Sequence, residues 1–229
     1  MRQLQDADIS MAQIHHIFLT HEHTDHLLGM IWMIRMIATK MRREQYEGNL
    51  RIYCHSALVE TVRTIANLTL PKKFTRLLDH RIQFVPLHEG DTKHILDYDV
   101  TFFDILSTKL SSTLTMRLKN GQKLTCAGDE PLNENCFGYA EGSDWLMHEA
   151  FCLYSQRDQY DPYEKHHSTV REACELAAYL NVPNLILYHT EDDNIERRKA
   201  LYTAEGRLYY KGNLYVPDDL ECIELDKEE

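Results

Sequence analysis

Four side chains that commonly bind metal ions are crowded between His21 and His26, in a run that reads His-Glu-His-Thr-Asp-His. Because alternate side chains of an extended segment point to the same side, His21 and His23 share one face. Asp25 and His26 follow at the turn into a helix, where they reach a second position beside the first. Imidazole and carboxylate groups are the usual ligands of zinc and similar divalent ions. The spacing therefore predicts a metal site just past the apolar strand Ile14–Leu19.

Two further candidate ligands occur later in the chain, each just after an apolar strand. Asp129 follows Gly128 at the end of a strand that includes Leu124–Ala127, and His189 ends the strand Leu185–Tyr188. Loops at strand ends gather functional side chains on a rigid scaffold. Both residues are far from His21–His26 in the chain, so the tertiary fold would have to bring them to the metal site.

The spacing His-x-His-x-Asp-His resembles the signature of the metallo-β-lactamase superfamily. Three later elements are most similar to the ribonuclease Z branch: Gly-Asp at 128–129, His-Glu-Ala-Phe at 148–151 and His-Ser-Thr at 167–169. The resemblance covers nearly the whole chain. It implies an α/β fold of the αββα sandwich type, with helix layers outside two packed sheets.

The resemblance also implies a pair of divalent ions, zinc by preference with manganese as the alternative. In the superfamily one aspartate bridges the two ions, and Asp129 takes that place. A further histidine usually precedes it, but Leu106 stands at the matching position, which predicts a weaker second site. The implied ligands are Asp25, His26, Asp129 and His189 for one ion, and His21, His23 and Asp129 for the other.

Catalytic roles follow from the same resemblance. His167 resembles the group that protonates the leaving oxygen, Glu149 is placed to orient it, and Asp25 positions the attacking hydroxide together with the ions. From the residues alone, Ser168 is equally well a helix N-cap with His167 as its exposed neighbour. His148 either lines the pocket or is a hydrogen-bonded residue at a strand end.

The function implied is that of a metal-dependent hydrolase of phosphodiester bonds, acting on RNA or on a small phosphodiester. Only about two dozen residues separate Leu106 from Asp129, too few for the long arm with which ribonuclease Z enzymes commonly grip tRNA. Two alternatives stay open: a metallohydrolase of thioesters or lactones, and a divergent metal-binding protein without catalysis.

Secondary structure is predicted from hydrophobic periodicity and from capping and turn residues. Asn120-Gly121 is a typical hairpin turn, and Ser56 is a candidate N-cap. The predicted strands are Ile14–Leu19, Leu50–Cys54, Ile82–Leu87, Val100–Leu106, Leu114–Leu118, Leu124–Ala127, Asp144–Met147, Leu185–Tyr188 and Asn213–Val216, and the main helices are Leu27 to about Gln45, Ala57–Leu68, Val170–Leu180 and Asn194–Tyr202.

The sequence lacks the linkers and repeats that would divide it, so a single domain over residues 1–229 is expected. In this superfamily two or three strands normally precede the first histidine motif, whereas about a dozen residues precede the first strand here. We therefore expect an N-terminally abbreviated fold with an exposed sheet edge, which would aggregate unless a partner covered it. A second copy of the chain, in a homodimer, is a candidate for that cover.

Composition limits the function classes. The formal charge is -11, with 36 acidic and 25 basic residues, which argues against indiscriminate nucleic-acid binding. The six cysteines show no pairing pattern and are expected to be mostly small buried side chains. The longest apolar segment is interrupted by Arg35 and Lys40, so no membrane span is expected, and cytoplasmic location is the default.

Overall fold

The computed structural model describes residues 2–105, 111–193 and 195–225. These residues form two compact units. The first runs to Asp91 and takes in the segment that ends at Ser112, and the second contains the remainder from Thr92 onward. Position 106, where the sequence lacks the expected histidine, lies outside the described residues.

The first unit contains a parallel three-stranded sheet with the order β1-β2-β3. The core is made by apolar faces of two long helices and by the sheet, with Ile34, Ile37, Leu50, Ile52 and Ile82 fully buried. Burying each of these side chains contributes about 1.5–3 kcal/mol. The elements are α1 (Arg2–Asp6), β1 (His16–Leu19), α2 (Thr24–Arg42), β2 (Leu50–His55), α3 (Leu58–Thr69), α4 (Lys72–Thr75) and β3 (Ile82–Leu87).

The second unit contains a seven-stranded sheet with the order β10-β9-β8-β7-β6-β5-β4. Strands β7 to β10 are parallel to their neighbours, whereas β6 pairs with β7, and β4 with β5, in antiparallel fashion. The elements are β4 (Thr92–Ile95), β5 (Tyr98–Asp104), β6 (Ser112–Arg117), β7 (Lys123–Cys126), α5 (Phe137–Ala140), β8 (Trp145–Glu149), α6 (Arg157–Tyr160), α7 (Val170–Tyr179), β9 (Asn184–Tyr188), α8 (Arg198–Tyr209) and β10 (Asn213–Tyr215).

Parallel pairing of β7, β8 and β9 brings their carboxyl ends to one edge of the sheet. In the register of these strands, Cys126 lies opposite Met147, and Glu149 lies opposite Tyr188. The residues that follow each strand therefore meet along this edge, the usual place for functional groups in a parallel sheet. One face of the sheet is covered by α7 and α8, whose buried residues include Ala173, Cys174 and Tyr202.

Most predicted strands and the predicted hairpin at Asn120-Gly121 are confirmed, but two local predictions are wrong and one strand is missed. Helix α3 begins at Leu58 without a side-chain cap, and the Ser56 hydroxyl is instead 3.4 Å from His88 Nδ1. Strand β4 was not predicted. The last helix runs over Arg198–Tyr209 instead of ending at Tyr202.

Gly206 allows the last helix to pack closely against its neighbours. A β-carbon at this position would lie 2.6 Å from Leu214 Cδ2 and 2.9 Å from Cys174 Sγ. A larger residue at position 206 would therefore push α8 away from these side chains.

The cysteines agree with the prediction of small buried side chains. All six are free thiols; Cys54, Cys136, Cys152 and Cys174 are buried, Cys126 is half-buried and Cys222 is exposed. Among the described residues, the structure contains no helix with the length and apolar character needed to cross a membrane.

Candidate metal and catalytic site

The first unit gathers the histidines of the early motif where β1 gives way to α2. His21 is buried, and its ring centre lies 4.6 Å from that of His23 and 4.2 Å from that of His26. Asp25 lies in the first turn of α2, and its Oδ2 is 3.3 Å from His26 Nε2. The partial positive charge of a helix N-terminus favours a carboxylate there. All four ligands predicted in this motif are thus close neighbours.

Thr20 holds two of these rings and was missed by the sequence reasoning. Its hydroxyl lies 3.0 Å from His21 Nδ1 and 3.5 Å from His26 Nδ1. A hydrogen bond at Nδ1 makes Nε2 the candidate metal-binding atom and fixes the ring orientation, as partners of ligating histidines commonly do. A hydroxyl residue directly before the first histidine is the only sequence signal for this role.

The second unit places Asp129 and His189 together at the carboxyl edge of its sheet. Asp129 Oδ2 is 3.4 Å from His189 Nε2, and both residues lie largely out of solvent. Gly128 has a φ of +71°, so the turn before Asp129 favours glycine. His189 has a φ of +52°, an uncommon conformation for a residue with a side chain and one that marks functional positions.

This pair suits a divalent cation. It joins one carboxylate and one imidazole, which are ligand types of zinc. The ring nitrogen that faces the Asp129 carboxylate is Nε2, so this atom is the one placed to share a cation with it.

Glu149 and His167 lie beside this pair within the same unit. The Glu149 side chain is fully buried, and its Oε2 is 3.6 Å from His167 Nδ1. Its other oxygen accepts a hydrogen bond of 2.5 Å from the Ser168 amide, while the Ser168 hydroxyl donates to the Glu149 carbonyl at 3.0 Å. Burial raises the pKa of Glu149 to about 8, against the lowering effect of the Ser168 hydrogen bonds. The hydrogen bond from the Ser168 amide fixes the Glu149 carboxyl group in place next to the imidazole.

The position of His167 relative to the candidate ligands is set by ring contacts. Its ring centre lies 5.0 Å from that of His189. Phe151 stacks on it at 4.9 Å with an interplanar angle of 20°. One ligand-type atom from each of Glu149, His167 and His189 lies within 4.8 Å of the others. Phe151 was noticed in sequence only as part of a motif, and its stacking role has no sequence signal of its own.

Two open alternatives from the sequence are resolved by these contacts. Ser168 is not the N-cap of α7: Thr169 is, through a capping box with Glu172. His148 is a hydrogen-bonded residue at a strand end, with Nδ1 2.7 Å from the Glu149 carbonyl and Nε2 accepting from the Leu132 amide. Burial lowers the pKa of His148 to about 4, so it is neutral at physiological pH.

Histidines and carboxylates just past strands, as found in each unit, are the ligand types expected of a metallohydrolase with the metallo-β-lactamase fold. The chain belongs to this superfamily: the family model described as "Beta-lactamase superfamily domain" matches residues 1–190. The predicted superfamily and the predicted metal-dependent hydrolase are both confirmed. The alternative of a non-catalytic metal-binding protein is set aside.

Curated relatives point to the predicted branch. Ribonuclease Z of Nanoarchaeum equitans is 23% identical over 266 residues, which cover 99% of this chain and 81% of the relative. Ribonuclease Z of Thermococcus sibiricus is 25% identical over 268 residues, covering 98% of this chain and 84% of the relative.

Solved structures confirm the fold. The short form of human tRNase Z superposes with a TM-score of 0.70 at 18% identity, over 99% of this chain and 85% of that one. The metallo-β-lactamase fold protein YhfI from Bacillus subtilis gives a TM-score of 0.71 at 15% identity, over 94% of this chain and 79% of that one. The predicted α/β fold of the metallo-β-lactamase type is therefore correct.

Proposed function

We propose that this protein is a metal-dependent phosphodiesterase that cleaves RNA or a smaller phosphodiester. The observation that carries the proposal is the buried Glu149 carboxylate at 3.6 Å from His167, whose ring adjoins the candidate ligand His189. A fixed carboxylate beside an imidazole is suited to general acid catalysis.

The proposed cofactor is a pair of divalent ions, with zinc preferred and manganese as the alternative. Asp129 is assigned as the shared ligand, as the resemblance of the Gly-Asp element implies. The Asp129–His189 contact supports the ligands of the ion assigned to Asp25, His26, Asp129 and His189. The contact between the rings of His21 and His23 supports the ligands of the other ion. The full proposed ligand set is His21, His23, Asp25, His26, Asp129 and His189.

When bound, such ions polarise the phosphoryl group and lower the pKa of a coordinated water. The residues of the chain have separate tasks. Asp25 accepts a hydrogen bond from the attacking water and so orients it. His167 donates a proton to the leaving oxygen. Because Glu149 lies next to Nδ1 of the His167 ring, the other ring nitrogen, Nε2, is the atom that donates the proton. When ionised, Glu149 also stabilises the positive charge of the imidazolium before the transfer. Because burial raises the pKa of Glu149 to about 8, this contribution grows as the pH rises towards that value.

The presence of an oriented proton donor indicates that the site cleaves a phosphodiester and not a thioester. The leaving alkoxide of a ribose is strongly basic and needs a proton as the bond breaks. A thiol has a pKa of about 8.5 and leaves readily as the anion. The Glu149–His167 pair thus has a task in phosphodiester cleavage and little to do in thioester cleavage, which favours the first.

RNA is the proposed substrate class because the curated relatives are named ribonuclease Z. Binding by a long arm is not part of the proposal, since Ser112–Arg117 and Lys123–Cys126 form a tight hairpin in the region before Asp129. The free cysteines favour a location in a reducing compartment, and we therefore propose the cytoplasm.

A homodimer is the proposed assembly, and light scattering would measure whether the protein is a monomer or a dimer.

The test compares two neighbouring histidines. We expect wild-type protein loaded with zinc or manganese to hydrolyse bis(p-nitrophenyl) phosphate and a 3′-extended precursor tRNA, and to leave a p-nitrophenyl thioester nearly untouched. His167→Asn should lower kcat for the precursor tRNA, whose leaving group is a basic ribose alkoxide, by about 10²–10⁴. His166→Asn is the matched control, because position 166 is exposed with a φ of +60° that Asn tolerates. Turnover of the thioester alone would contradict the proposal.

A further inference from the structure

Two cationic side chains lie directly opposite each other on the sheet of the second unit. In the antiparallel register of β6 and β7, Arg117 is the partner of Lys123. Directly paired residues on neighbouring strands project from the same face, with their β-carbons close together. Like charges in this position are destabilising, so the pair calls for something that compensates it.

Among the described residues, no carboxylate forms an ion pair with either cation. Arg117 Nη1 donates to the Gly121 carbonyl at 3.2 Å, and Lys123 Nζ donates to the Glu141 carbonyl at 2.7 Å. Burial, and then the charge of Arg117, lower the pKa of Lys123, and the charge of Glu141 acts in the opposite direction. The chain has 36 acidic residues against 25 basic ones, so two adjacent cations without a carboxylate in direct contact among the described residues are unusual for it.

The two cations line a cavity of about 340 Å³. Its one carboxylate, Asp99, is already bound to His94 Nδ1 at 2.8 Å. The hydroxyl groups of Thr101 and Thr92 lie 2.9 Å apart, so one donates a hydrogen bond to the other. The hydroxyl that accepts this bond can still donate its own proton to a ligand. The remaining lining residues are Thr115 and Met116.

We propose that this cavity binds a phosphate group between Arg117 and Lys123, and that the phosphate belongs to the backbone of an RNA substrate. A phosphate oxyanion accepts hydrogen bonds from both cations and removes their repulsion. Strand β7 leads from Lys123 towards Asp129, six residues later, or roughly 20 Å along an extended chain. An RNA chain of several nucleotides spans that length. The RNA source rests on the proposed function; free phosphate has the same chemistry.

The test uses metal-loaded protein and two double variants. Arg117→Gln/Lys123→Gln removes the pair. Arg207→Gln/Lys211→Gln is the matched control: it removes the same charge, from exposed side chains that also donate to backbone carbonyls. Affinity for a fluorescent 12-nucleotide phosphorothioate RNA, which keeps its charge and resists hydrolysis, is measured against salt. The shift of Tm on adding inorganic phosphate is measured in parallel.

We expect the first variant to bind the RNA about tenfold more weakly at low salt. Its slope of log affinity against log salt should be smaller by about 0.7–1.4, the effect of one or two lost phosphate contacts. The control should match wild type. Without phosphate, the Tm of the first variant should be no lower than that of wild type, since a repulsion has been removed. The single variant Arg117→Gln changes only an exposed side chain, and it should show the same changes in RNA affinity and Tm.

Two results separate the sources of the phosphate. Loss of the Tm response to phosphate with unchanged RNA binding would support the anion site but assign it to free phosphate. Unchanged RNA affinity, salt slope and phosphate response, all equal to the control, would overturn the proposal. Hydrolysis of bis(p-nitrophenyl) phosphate by wild type is scored separately, so failure of the proposed function is distinguishable from failure of this site.

Discussion

Replacing Glu149 separates its role in catalysis from its role in stability. The carboxylate accepts the Ser168 amide at 2.5 Å and lies 3.6 Å from His167 Nδ1. Glu149→Ala leaves a buried amide without an acceptor, which costs about 1–3 kcal/mol. For a chain of this size that lowers Tm by about 2–12 °C. Glu149→Gln keeps an oxygen for the amide, so its Tm should stay within about 3 °C of wild type.

Both variants remove the carboxyl group that orients the His167 imidazole. We expect each to lower kcat for the precursor tRNA, whose ribose leaving group needs the proton, by about 10²–10⁴. Glu175→Gln is the control, because Glu175 lies on the exposed surface in an ion pair with Arg171, and such pairs contribute little. Steady-state kinetics and thermal unfolding followed by circular dichroism measure the two effects. A Glu149→Gln variant with kcat within threefold of wild type would refute the orienting role.

Three further predictions follow from packing and burial. Phe151→Ala should lower kcat more than it changes KM, since the ring that holds the catalytic imidazole is lost, and Phe151→Tyr should restore kcat. Gly206→Ala should destabilise by about 1–3 kcal/mol through overpacking, whereas Gly29→Ala, with open space around its β-carbon, should stabilise by about 0.5–1 kcal/mol in denaturant unfolding. Iodoacetamide at pH 8 should modify exposed Cys222 first in native protein, because burial raises the pKa of Cys54 to about 11, as peptide mass spectrometry would show.

The sequence predicted the components of the site better than the contacts between them. His21 to His26 are neighbours in the chain, so strand geometry and helix onset place them without tertiary information. Asp129 and His189 are predicted as residues just past strands, and the parallel pairing of both strands with β8, which lies between them, brings Asp129 Oδ2 within 3.4 Å of His189 Nε2. That distance depends on the register of the sheet, which a single sequence does not reveal.

Other features depend on tertiary contacts that leave little trace in the sequence. Ser168 looks like a helix N-cap, but its hydroxyl and amide bind Glu149 and the cap falls to Thr169. Gly206 lies four residues beyond the predicted end of the last helix, and only the tertiary contacts of α8 show why a glycine is needed there. The stacking of Phe151 on His167 arises where two loops meet, and neither loop encodes it alone.

The most direct test of the metal-dependent mechanism is the metal content of the purified chain. Elemental analysis should find close to two zinc or manganese ions per wild-type chain, with hydrolysis of bis(p-nitrophenyl) phosphate. In His23→Ala both metal content and turnover should fall, whereas the exposed His80→Ala should retain both. Wild-type chains that bind no divalent ion after reconstitution, or a His23→Ala variant that keeps two ions and full turnover, would contradict the account.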